Sequence, residues 1–176
     1  MPFGGSSEER LLSLSMTDKD DVGHFVNDMQ MTPHDHSPHF KKPEKVFTVG
    51  VFDMLHFGHF ELFRRARELA NGGTLTVAIQ DDDYVLRYKP GTRLVYPLDV
   101  RIAMVSALRM VDRVVVYRDV DEIVKRIPFD VFVVGGDQTH DGFVRAIRWC
   151  ESNGKRVVRL ERTKGISSTS LRKGFP

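Results

Sequence analysis

The chain has 176 residues, 41% of them hydrophobic and 28% charged, with a formal net charge of +2, which suits one globular domain with a sizeable core plus some excess. No stretch approaches the ~20 apolar residues of a membrane span and the N-terminus lacks a basic-then-apolar leader pattern, so a cytoplasmic protein without stable membrane association is expected. The single cysteine, Cys150, excludes an intrachain disulfide, and its helical surroundings indicate a reduced, buried or partly buried thiol rather than a catalytic one.

Residues 1–44 differ in character from residues 45–176. Within 1–40, seven acids stand against Arg10 and Lys19, a balance of −5 that leaves +7 for the remainder. With Pro2, Gly4, Gly5, Pro33 and Pro38 scattered through it, this segment reads as a flexible acidic arm, with a turn or two of helix from Ser7 through Leu14. His34, His36 and His39 have metal-ligand chemistry, but a histidine-bearing tail without a rigid scaffold is usually just solvated.

From Lys45 onward strand-like and helix-like patterns alternate. A short apolar run to Gly50 is followed by a turn, and the apolar positions Leu62, Phe63, Ala66, Leu69 and Ala70 then fall on one helical face. Asn71-Gly72-Gly73 stops that helix, and Thr74 to Ile79 reads as a second strand. Pro97 suits a first helical position, with Leu98, Ile102, Val105 and Leu108 on the buried side of the helix that follows. Val114 to Tyr117 is the third strand, and Val120, Ile123, Val124 and Ile127 mark a short helix. Asp130 to Gly135 is a near-continuous apolar run, as a strand covered on both faces should be. A helix from about Gly142 to Asn153, a strand over Arg156–Leu160 and a last helix from Ser168 complete the chain. Five strands alternating with helices imply an α/β domain, a Rossmann-like doubly wound parallel five-stranded sheet, with ligand beyond the carboxyl ends of the strands.

Three segments meet at that end. His56 and His59, separated by Phe57-Gly58, sit where the first strand gives way to a helix N-terminus, a natural anion site where backbone N–H groups and the dipole both point outward. Gly58 leaves room for phosphate, and the two imidazoles can follow charge building on an attacked phosphorus. After the fourth strand, Gly135 and Asp137 offer a close backbone approach and an acceptor for a base amino group or a substrate hydroxyl. In the closing segment Gly165 permits a turn, Ser167, Ser168 and Thr169 cap a new helix, and Arg162 supplies a planar, always-charged clamp. Asp81-Asp82-Asp83, after the second strand, suits either Mg²⁺ or the first turn of a helix. Lys89 would reach phosphates as a mobile point charge. The stretch from Lys155, seven bases against Glu161, straddles this phosphate site, and no nucleic-acid partner is needed to explain it.

Val49 to His59 resembles the signature of the small cytidylyltransferases, such as glycerol-3-phosphate and choline-phosphate cytidylyltransferase, within the wider His-x-Gly-His nucleotidyltransferase superfamily. The resemblance implies that Gly50, Val51, Phe52 and Asp53 lie against the nucleotide beside His56, Gly58 and His59. Lys89 is similar in placement to a lysine of those enzymes, and Arg101 stands where an arginine opens their long helix. Arg109-Met110-Val111-Asp112 resembles an Arg-Tyr-Val-Asp signature at their subunit interface and site rim, implying a homodimer. Arg162-Thr163-Lys164-Gly165-Ile166-Ser167-Ser168-Thr169 resembles Arg-Thr-Glu-Gly-Ile-Ser-Thr-Thr, with Lys164 in place of the acid.

The resemblance thus implies transfer of CMP from CTP to a small phosphorylated alcohol, with Mg²⁺ carried on the triphosphate and no metal site in the protein itself. His56, His59, Lys89 and Arg162 would be catalytic. Gly135-Gly136-Asp137 is closer to heptose 1-phosphate adenylyltransferases, so an ADP-sugar is the alternative product. A non-catalytic nucleotide-binding or anionic-surface-binding domain is a more remote one.

Overall fold

Alternating apolar runs and amphipathic segments from Lys45 onward build a three-layer α/β domain. The computed structural model describes residues 42–88, 90–172 and 174. All but the last three residues of the expected arm, with its helical turn and its three histidines, lie outside that range, as does Lys89. Five strands, β1 (Lys45–Gly50), β2 (Thr74–Gln80), β3 (Arg113–Tyr117), β4 (Val131–Gly135) and β5 (Arg156–Leu160), form one sheet in the order β3-β2-β1-β4-β5. Every pairing is parallel, and the direction of winding reverses between β1 and β4, which opens a crevice at their carboxyl ends.

The helices are α1 (Phe57–Leu69), α2 (Asp82–Tyr88), α3 (Leu98–Ser106), α4 (Val120–Arg126), α5 (Asp141–Ser152) and α6 (Ser168–Arg172). β1 explains the two cores, because its period-2 alternation sends successive side chains to opposite faces. Val46 joins Phe63 and Ala66 of α1, Val105 of α3 and Leu75 of β2. Phe47 and Val49 join Val120 and Val124 of α4 and Phe143 and Ala146 of α5. Cys150 is buried in that second core, and burial raises its thiol pKa to about 11. The hydroxyl of Thr48, also buried, donates to the Val133 carbonyl at 2.9 Å and stitches β1 to β4.

Two differences from the sequence reading bear on the site. The first helix starts at Phe57, not at the apolar face beginning with Leu62, so His59 lies in its first turn. The Asp81–Asp83 stretch resolves in favour of a helix start: Asp82 and Asp83 occupy the first turn of α2, and Asp82 accepts from the Leu98 amide and pairs with Arg101.

Candidate nucleotide site

The turn leaving β1 holds two non-glycine residues in the left-handed region, Phe52 at φ 55° and Met54 at φ 51°, a conformation that bulky residues occupy only where surrounding packing enforces it. The Phe52 side chain is buried, and its ring folds back under the strand. A Cβ added at Gly50 would stand 2.7 Å from Phe52 Cζ, so only glycine fits there. The same ring meets His59 edge-on at 5.3 Å and packs on Phe63 at 4.9 Å.

Asp53, only 3% exposed, lies between those two strained residues. Its carboxylate accepts the amides of Val95 and Tyr96 at 3.0–3.2 Å and pairs with Arg172 at 2.5 Å. The Asp53 carbonyl also accepts from Ser168 Oγ at 2.9 Å. One residue therefore fastens the loop before α3 and helix α6 to the β1–α1 turn. Burial pushes the Asp53 carboxyl pKa up, but the two amides and Arg172 outweigh it and hold the group below the ordinary carboxylate value.

His56 is the N-cap of α1: its Nδ1 accepts the Gly58 amide at 3.1 Å, which leaves Nε2 to carry the proton of a neutral ring. The amides of His59 and Phe60 donate to the His56 carbonyl at 2.9 and 3.1 Å. The first-turn N–H groups expected to face an anion are thus largely satisfied within the turn, and attraction falls instead to imidazole N–H groups, the helix dipole and arginines. His59 stacks on His56 with ring centroids 3.8 Å apart, and its Nδ1 is buried without a hydrogen-bond partner among the described residues. Burial, the neighbouring His56 and Arg162 together depress the His59 pKa to about 3, against a smaller opposing pull from Asp53. Burial and Arg162 also lower His56, opposed by its own backbone hydrogen bond.

A cavity of about 320 Å³ opens in front of this pair. Of the residues expected at the nucleotide, Gly50, Val51, Phe52, Asp53, His56, Gly58 and His59 reach it from the β1–α1 segment. Gly135 and Asp137 reach it from the end of β4, and Arg162, Thr163, Ile166 and Ser168 from the closing segment. Arg162 Nη1 lies 3.2 Å from Asp137 Oδ2, both side chains about half exposed, an ion pair weak enough to exchange for phosphate.

Other expected residues sit elsewhere. Arg101 does not line the cavity. It is fully buried beneath it, with its guanidinium on the carbonyls of Val51 and Gln80 and on Asp82, so it ties the ends of β1 and β2 to α2. Asp112 accepts from the Leu75 amide and pairs with Arg67. Leu75 is the second residue of β2, so Asp112 belongs to the opposite end of the sheet from the site rim. Gly165, at φ 79°, makes the expected turn, and Ser167 Oγ accepts from the Ser170 amide at 3.0 Å, capping α6 rather than facing the cavity. The Thr169 side chain lies outside the described set.

Arg65, Gln138 and Arg172 line the cavity without having been singled out. Arg65 carried a readable signal, because it follows Gly58 and Leu62 by helical spacing on one face. Of the carboxylates lining the cavity, Asp53 is engaged by two amides and Arg172, Asp137 by Arg162 and Glu61 by Arg64, and no group of three or more potential metal ligands occurs among the described residues. The described side chains of the cavity do not compose a metal cage.

The sequence profile of the cytidylyltransferase-like family matches residues 47–174. The chain is 40% identical over 126 residues to the bifunctional protein HldE of Acidiphilium cryptum, a match covering 70% of this chain and 25% of that protein. It is 35% identical over 133 residues to glycerol-3-phosphate cytidylyltransferase of Staphylococcus aureus, covering 73% of this chain and 92% of that one. The chain thus spans about a quarter of its HldE relatives and nearly all of the glycerol-3-phosphate enzyme. Among solved structures, a lipopolysaccharide core biosynthesis protein from Thermoplasma volcanium superposes with a TM-score of 0.56 at 26% identity, over 69% of this chain and 98% of that one.

Proposed function

Because the chain belongs to the cytidylyltransferase-like family, we propose that it transfers CMP from CTP to a small phosphorylated alcohol, glycerol 3-phosphate or a similar polyol phosphate. Pyrophosphate is released and a CDP-alcohol formed. The observation that carries this reading is the stacked, uncharged imidazole pair of His56 and His59 at the α1 N-terminus, in a cavity that Arg162 and Ser168 also line. Relatedness to the Staphylococcus aureus enzyme supports the choice of nucleotide and acceptor.

In this mechanism an acceptor phosphate oxygen attacks the α-phosphorus in line. A new P–O bond forms as the bond to the α–β bridging oxygen breaks, and that electron pair leaves with pyrophosphate. His56 and His59 donate N–H groups to the α-phosphate and meet the charge that grows on its oxygens. Arg162 leaves Asp137 for the phosphates, and Lys89 adds a second cation. Proteins ask little covalent work of themselves in such transfers, where positioning and charge stabilisation dominate. A Mg²⁺ accompanying the triphosphate would supply further charge neutralisation beside Arg162 and Lys89. A homodimer, suggested by the Arg109–Asp112 segment, is part of the same reading.

A second reading, an ADP-sugar made from ATP and a heptose-type sugar 1-phosphate, draws support from Gly135-Gly136-Asp137 and from the likeness to the lipopolysaccharide core biosynthesis protein. Pyrophosphate release measured with CTP and with ATP, each crossed with glycerol 3-phosphate, longer polyol phosphates, phosphocholine and heptose 1-phosphate, separates the two. CTP-dependent turnover with a polyol phosphate is expected. Turnover with ATP and heptose 1-phosphate alone would replace the first reading by the second.

A further inference from the structure

A second cavity, of about 480 Å³, adjoins the first across the carboxyl ends of the sheet. The two share Gly50, Val51, Val85 and Gln138, so a molecule can span both at the point where strand order reverses. Acids line both. Asp53, Glu61, Asp137 and Glu161 stand beside Arg65, Arg162 and Arg172 in the first, and Asp119, Asp121 and Asp141 beside Arg145 alone in the second. With three arginines and the imidazole pair, the first is the better seat for a triphosphate.

Building on the nucleotidyl-transfer reading above, we propose that the second cavity takes the polyhydroxylated tail of the acceptor, a polyol or sugar phosphate of five or more carbons, with Tyr88, Asp119 and Asp121 reading its hydroxyls. The hydrogen-bonding inventory supports hydroxyl recognition. Tyr88 Oη donates to Asp119 Oδ1 at 2.5 Å and Arg145 Nε donates to Asp121 Oδ2 at 2.6 Å. Each of these bonds orients a carboxylate and occupies one of its roughly four acceptor positions, leaving the others for hydroxyl donors. The Tyr88 ring is 54% exposed and lies within 14° of parallel to the His140 ring at 6.3 Å, a flat wall against which the C–H face of a carbon chain or sugar can rest.

Size favours the longer of the acceptors proposed above. A cavity of about 480 Å³ falls within the ~300–1,000 Å³ of ordinary small-molecule sites and leaves most of itself empty around a three-carbon tail.

The test measures pyrophosphate release with CTP and with ATP for ribitol 5-phosphate, a heptose 1-phosphate, glycerol 3-phosphate and phosphocholine. Equilibrium binding of ribitol 5-phosphate and of the heptose 1-phosphate is followed in parallel by saturation-transfer NMR. Both use the full chain and its Tyr88→Phe, Asp119→Asn and Asp121→Asn variants. Tyr88→Phe removes one oxygen and keeps the ring, so its folding is not at issue. The KM of the longer acceptor should rise on the order of 10-fold in each variant, with weaker binding in step, while the KM for nucleotide holds. Phosphocholine or glycerol 3-phosphate as the preferred acceptor, or a longer-acceptor KM unmoved by all three substitutions, would overturn the assignment and leave nucleotidyl transfer standing. Variant-sensitive binding without turnover for any pair would overturn the transfer reading and keep the cavity assignment. Absence of both binding and turnover with the longer acceptors would overturn the assignment.

Discussion

The imidazoles of His56 and His59 lie face to face, ring centroids 3.8 Å apart and 18° from parallel, as an uncharged pair. Two imidazolium ions at that separation would repel each other, and with Arg162 close by the free protein holds both rings below their ordinary titration range. In the proposed transfer, a pair that is neutral before ligand arrives acts first by hydrogen-bond donation. It gains charge only as an anion enters or builds.

His56 serves the fold besides its proposed role at the phosphate, since its Nδ1 caps α1. His56→Ala should cost about 1 kcal/mol of stability through the lost cap and on the order of 10²-fold in turnover. Asparagine restores a cap acceptor but not the imidazole, so His56→Asn should recover the urea midpoint and leave turnover low. Recovery of both in the asparagine variant would show that the cap alone is what matters.

The depressed His59 pKa gives stability a definite pH dependence. The folded value is about 3 and the ordinary value 6.5, so between them the unfolded chain holds a proton that the folded chain does not. Stability is therefore complete above the ordinary value and falls as pH drops through that window, with a limiting slope of about 1.4 kcal/mol per pH unit from this one group. Urea denaturation from pH 4 to 8 should show the slope in the wild type and a smaller one in His59→Gln. Equal slopes would contradict the buried, neutral assignment.

Asp53 holds together three segments that are distant in sequence. Asp53→Asn keeps the shape but removes the charge that faces Arg172 and one of the oxygens shared by the Val95 and Tyr96 amides. A loss of about 2 kcal/mol is expected, with a raised KM for nucleotide because α6 and the loop before α3 both loosen. Arg172→Ala should shift KM in the same direction at a smaller cost in stability, since its side chain is one-third exposed. Unchanged nucleotide KM in both variants would separate the latch from the site.

Arg101 acts from beneath the cavity. Its fully buried guanidinium serves the Val51 and Gln80 carbonyls and Asp82. Arg101→Met should destabilise by about 3–5 kcal/mol, because two carbonyls and a carboxylate lose their partner together. Arg101→Lys retains charge but cannot reach all three and should fall between. A methionine variant as stable as wild type in urea would refute this structural role.

The doubly wound sheet was legible because strand and helix periods alternate without interruption, and β5 falls over the five residues read from the sequence, Arg156–Leu160. The start of α1 was not, because a histidine cap followed by Phe57-Gly58 carries neither a usual capping residue nor strong helix formers. Local sequence also could not tell that Arg101 turns inward. Its partners lie at the ends of two other strands and come within reach only once β1 and β2 are in register. Tyr88, Asp119, Asp121 and Arg145 are spread over three elements with no common spacing, so their convergence is a product of the chain's winding alone. The histidine turn, the end of β4 and the closing Ser/Thr segment do meet at one cavity, as the rule of ligands at the carboxyl ends of parallel strands requires.

Pyrophosphate release by His59→Asn, measured with the nucleotide and acceptor that the wild type turns over best, tests the central claim most directly when nucleotide affinity is followed by calorimetry on the same sample. A fall in kcat on the order of 10²-fold to 10³-fold is expected, with nucleotide binding changed far less. A folded variant that binds nucleotide and turns over at the wild-type rate would contradict the assignment of the imidazole pair to the reacting phosphate.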